Sequence, residues 1–128
     1  MTKTVHAPIS VGELIDKITI LQIKEHEFDD EIKLSHVRNE MRELNKLVVE
    51  LGFNVSAEMA ELRLVNEIIW TNEDAARTFP VYDWTAEQTK KIAEIAMKTY
   101  AANTRRAQIK KRINEMCGST IVEEKSYT

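Results

Sequence analysis

Apolar residues recur along most of this chain at intervals of three and four, the repeat of an α-helix, and Pro8, Gly12, Gly52, Pro80 and Gly118 punctuate the repeats. Ser10 and Glu13 have capping-box spacing, and Leu14, Ile15, Ile18 and Leu21 follow at helical intervals. A first helix is therefore expected from Ser10 to Phe28. Val37, Met41, Leu44, Val48 and Leu51 form a regular seam that ends at Gly52, a residue suited to the left-handed position after a helix. This seam is out of phase with the first, which predicts a bend near Asp29 and Asp30, with either Asp as the N-cap of a second helix. Ser56 is expected to cap a third helix reaching about Phe79, with Met59, Leu62, Val65, Ile69 and Ala76 on one face. Thr85 and Gln88 offer another capping box, opening a stretch without glycine or proline until Gly118. Unbroken to Cys117, that fourth helix is ~48 Å long at 1.5 Å per residue.

The pattern predicts an all-α bundle of about four helices with a long C-terminal helix and a short irregular tail. A length of 128 residues suits one domain spanning the whole chain, with residues 1–9 and 119–128 as extended or flexible ends. The tail after Gly118 is too short for an element of its own but long enough to dock on the bundle. Because the fourth helix outruns the others, its end is expected to project or to pair with a second subunit. Composition agrees: 43% apolar and 30% charged residues describe a globular chain, and three glycines and two prolines are too few turn formers for a many-stranded sandwich.

A net charge of −3 and a pI near 5.7 give no general attraction to nucleic acid or to anionic membranes. One edge of the fourth helix is basic, with Lys91, Lys98, Arg105 and Arg112 thickened by Lys110 and Lys111. No aromatic residues are interleaved for base stacking, so the stripe reads as a solvated face pairing with carboxylates, and nucleic acid is not an expected partner. Nor is a membrane, since no run approaches the ~20 apolar residues that span one, and residues 1–9 lack the apolar stretch of a signal peptide. Cys117 is alone, which excludes an intrachain disulfide and a multi-cysteine zinc site and fits a reducing, cytoplasmic setting. His6, His26 and His36 match no ligand-pair spacing, and phosphate-loop and nucleophile-elbow motifs are missing. No metal and no cofactor are expected.

Three helices place polar residues where a plain bundle has apolar ones. On the third, Asn66, Glu73 and Arg77 lie on or beside the face of Leu62 and Ile69; on the fourth, Arg106 sits within the stripe of Ile92, Ile95, Ala102, Ile109 and Ile113, with Asn103 nearby. The first adds Asp16, on a face with Ile20 and Ile23. A buried charge must be paired, so Arg106 is expected to meet Asp16 or Glu73. Two readings follow. In one, these residues fix helix register inside a noncatalytic interaction or oligomerisation module, a homodimer. In the other, Asp16, Asn66, Glu73, Arg77, Asn103 and Arg106 line a pocket for a small carboxylate or phosphate, recognised by arginine forks.

The run from Ile9 to Lys24, with its Ile-Ser-Val-Gly-Glu-Leu-Ile-Asp-Lys-Ile-Thr-Ile-Leu opening, resembles the signature of a small bacterial and phage family of unknown function. The likeness continues from Asn66 to Arg77 around Trp70 and Glu73, and through Ile109-Lys110, Ile113-Asn114, Gly118-Ser119 and Glu123-Glu124-Lys125-Ser126-Tyr127. It spans most of the chain and implies a single complete domain, without an activity to carry over. Leu14-Ile15-Asp16-Lys17-Ile18 also resembles the first helix of the all-helical chorismate mutases. That resemblance implies a dimeric bundle that holds a dicarboxylate with basic side chains. Where those enzymes have an arginine early in the first helix, this sequence has Glu13 or Lys17.

Overall fold

Each helix begins and ends where the sequence supplies a stop. The computed structural model describes residues 3–127; the expected loose ends at Met1, Thr2 and Thr128 lie outside the described residues. Helix α1 (Val11–Glu27) is capped by the Ser10 hydroxyl, which accepts from the Glu13 N–H. Asp30 opens α2 (Glu31–Leu51) by accepting from the N–H groups of Ile32 and Lys33, and Gly52 closes it at φ 70°. Helix α4 (Ala86–Cys117) starts from the full Thr85–Gln88 capping box and ends at Gly118, φ 62°. It is unbroken, as its lack of glycine and proline predicts. Only α3 (Ser56–Arg77) begins differently: Ser56 lies inside the helix, Val55 is the N-cap, and Asn54 takes the Ser56 N–H and hydroxyl on its side-chain oxygen. Among the described residues no strand forms, and no helix is long and apolar enough to cross a membrane.

The helices are arranged around α1, which contacts the other three, while α2 comes within backbone contact of α1 alone. Helices α3 and α4 form an antiparallel pair, and α1 lies in the groove between them, antiparallel to α4. The core gathers Ile15, Val55, Leu62, Ile109 and Ile113, with Val11, Val48, Met59 and Val65 packed around it. Each large aliphatic side chain buried there contributes about 1.5–3 kcal/mol. The seam of α2 is only half used: Val37 is buried, Met41, Leu44 and Val48 are partly covered, and Leu51 is exposed, because a helix with one neighbour buries one edge.

Helix α1 stops early. Its last turn lies beside the middle of α3, where the Phe28 and Trp70 rings meet at 6.1 Å. Beyond that level α3 and α4 continue as a two-helix arm joined by residues 78–85. Past Trp70, α3 runs on for seven residues, ~10 Å at 1.5 Å per residue, with no third helix against it.

Candidate functional site

The polar residues of α1, α3 and α4 meet at one joint near the start of α1. Close approach makes the joint possible. The Gly12 N–H donates to Asn114 Oδ1 at 2.7 Å, and a Cβ at Gly12 would lie 2.5 Å from the Lys110 carbonyl oxygen. One turn later Asp16 points into the interface with no solvent exposure. Its carboxylate accepts Arg106 Nε on Oδ1 at 2.9 Å and Arg106 Nη2 on Oδ2, a bidentate fork across the α1–α4 contact. Asn66 Nδ2 donates both to Asp16 Oδ1 and to Thr19 Oγ1, each at 2.9 Å, and the Thr19 hydroxyl donates to the Asp16 carbonyl. This tie joins α3 to α1. The Arg106 guanidinium is held above its ordinary pKa chiefly by the hydrogen bonds it donates to Asp16, against the opposing effect of burial.

A second cation extends the joint to the tail. Lys110 Nζ donates to Glu13 at 2.7 Å and to Glu123 at 3.3 Å, with Asp16 Oδ2 at 4.0 Å. Glu13 is thus drawn away from the reciprocal half of its capping box. Ser119 Oγ accepts the Val11 N–H and donates to the Ile121 carbonyl, which ties the tail to the start of α1. Lys125 pairs with Glu123 at 2.6 Å. These contacts, the hydrogen bond from Lys125 first and the charge of Lys110 after it, hold the Glu123 carboxyl below its ordinary pKa and raise Lys125. Residues 119–127 are without regular secondary structure, and this part of the tail is docked rather than loose.

Of the expected site residues, Asp16, Asn66 and Arg106 are brought into direct contact. Asn103 lies beside them in a cleft of about 70 Å³ lined by Arg106, Ala107, Lys110, Lys125 and Tyr127. Glu73 and Arg77 are elsewhere. Their side chains are 52% and 73% exposed, and they pair loosely with each other, Arg77 also with Asp74. They lie on the extension of the inward face of α3, beyond the end of α1. Lys110, Glu13, Thr19, Asn114 and the tail residues Ser119 and Glu123 complete the joint without having been singled out by pattern. The signal for Lys110 was its position one turn from Arg106; the tail has no periodicity to read.

The joint is internally balanced. Asp16, Glu13 and Glu123 face Arg106, Lys110 and Lys125, and every one of these groups has a partner. The adjoining cleft of about 70 Å³ falls well below the ~300 Å³ at which small-molecule pockets begin. A larger cleft of about 260 Å³ lies between the last turn of α1 and the middle of α3, walled by Ile23, His26, Glu27, Arg63, Glu67 and Trp70. Arg63 there is paired with Glu67 at 3.1 Å. Part of the basic edge of α4 is likewise engaged: Arg105 and Arg112 both bind Glu61 at 2.7 Å, and Lys91 pairs with Glu87. Among the described residues no cluster of three His, Cys, Asp or Glu side chains is placed to hold a metal. Cys117, half-buried at the end of α4, has its thiol pKa raised by burial and by Glu58, a setting for an inert thiol.

Comparison of the chain with protein-family models, with curated proteins and with solved structures finds no match.

Proposed function

We propose that this chain is a noncatalytic helical module that acts by pairing with a second copy of itself, in the reducing environment its single cysteine suits. The observation that carries the reading is the arm in which α3 and α4 run on past α1 with apolar side chains uncovered. Met97 and Tyr100 on α4 and Val81, Tyr82 and Trp84 in the connection are exposed. Apolar side chains grouped in this way mark association surfaces more than solitary ones do. The joint around Asp16 supports the same conclusion from the other side. Its charges neutralise one another, which suits a lock between helices and leaves no unpaired group for a substrate to engage.

Two measurements on the purified chain test the proposal. Sedimentation velocity from about 1 to 100 µM should show a monomer–dimer equilibrium within that range. A thermal-shift series with small carboxylates and phosphates should leave the melting temperature unchanged. A monomer throughout, joined to a saturable shift that Arg106→Ala removes, would replace the module with a ligand binder.

A further inference from the structure

We infer that the partner copy docks in the groove that continues the α1 seat along the arm, around a two-fold axis passing between Glu73 and Arg77. The inference rests on the self-pairing proposed above and adds the surface and its register.

Helix phase identifies the groove. Glu73 stands two turns beyond Asn66, and Arg77 two turns beyond Trp70, on the same face of α3 that holds α1 lower down. On α4, Ile95 and Ile92 continue the stripe of Ala102 and Arg106 in the same way, and both are only half-buried. The seat of α1 therefore runs on with an apolar floor from α4 and a charged wall from α3. Nothing within the described chain fills it, because α1 ends beside Trp70 and α2 contacts α1 alone.

Charge complementarity selects a second copy as the occupant. In an isologous pair, residue i of one copy meets residue j of the other, and j meets i. An axis between Glu73 and Arg77 sets each acid opposite the partner's base twice over. The exposed Ala76 lies between them and allows close approach. The two arms would then form a four-helix bundle, with Ile92 and Ile95 of both copies at its centre. That arrangement would give Glu73 and Arg77, joined within the chain only at 3.9 Å, a better partner across the interface.

The test is a charge swap read by sedimentation equilibrium on the full chain. Glu73→Arg and Arg77→Glu should each weaken the dimer by about tenfold or more, and the double variant Glu73→Arg/Arg77→Glu should restore it. Both positions are solvent-exposed, and circular dichroism should show unchanged helix. Leu64→Asp, on the outer face of α3, serves as the control and should leave the dimer intact. A dimer that survives both single reversals, or that Leu64→Asp breaks, overturns this surface while leaving self-pairing standing. Failure of the double variant to regain affinity overturns the register. A wild-type monomer at about 100 µM overturns both the surface and the module.

Discussion

The carboxylate of Asp16, fully buried on α1, grips both arms of the Arg106 guanidinium ninety residues away on α4. A pair of this kind is worth little against well-packed apolar residues, yet breaking it leaves an uncompensated charge inside the protein. Arg106→Met should therefore lower stability by about 3 kcal/mol, and Asp16→Leu combined with Arg106→Met should recover most of that loss. Urea denaturation of the two variants checks this. A loss in the double variant as large as in the single would mean that the pair stabilises outright.

Gly12 is required for a separate reason. Its neighbour is the Lys110 carbonyl, a backbone atom that cannot rotate away from a Cβ placed 2.5 Å from it. Gly12→Ala, a favourable change in most helices, should here cost about 1–3 kcal/mol by forcing α1 off α4. Thermal melts decide the sign.

Only part of the joint was legible in the sequence. Asp16 and Arg106 stood out because each interrupts an apolar stripe, and a buried charge demands a partner. Asn66 announced itself in the same way. The phase argument that found them also put Glu73 and Arg77 on the inward face, which is correct as a direction along α3. It fails on length: periodicity tells which face a residue occupies but not how far the neighbouring helix reaches, and α1 stops at Glu27. Lys110 was read with the basic edge of α4, since a lysine usually seeks water. Three carboxylates from α1 and the tail reverse that preference. The N-cap of α3 is Val55, one residue before the expected Ser56, because the Ser56 hydroxyl and N–H both donate back to Asn54 Oδ1.

Acid should release the tail. The folded Glu123 carboxyl sits below its ordinary pKa of 4.5, first through the hydrogen bond from Lys125 within the tail and then through the charge of Lys110 on α4, so its contribution is fully present above pH 4.5 and is lost as pH falls through the folded value. Carbon-13 titration of the Glu123 carboxyl should report a midpoint under 4.5, and amide signals of residues 119–127 should shift with it. In Glu123→Gln those amides should already resemble the acid form at neutral pH. A Glu123 midpoint at or above 4.5 would contradict the docking described here.

Glu61 receives two arginines, Arg105 and Arg112, and these ion pairs are close to half-exposed. Solvent screening limits their value, and Glu61→Gln should cost about 0.5–1 kcal/mol at low salt, with the difference from wild type shrinking as salt is raised. Melting curves at low and high sodium chloride measure it.

The joint has a further effect on when the protein can form. Asp16 and Glu13 leave the ribosome about ninety residues or more before Arg106, Lys110, Ser119 and Glu123, which complete the joint around them. Until then α1 has α2 beside it but carries a carboxylate on its inward face with no cation to meet. The α1–α4 contact closes a loop of about ninety residues, and that entropic cost is offset only once α4 packs against α1 and α3. Completion of the fold is thereby deferred until α4 and the docked tail have emerged, and nascent chains halted before Arg106 should be open to protease along α1.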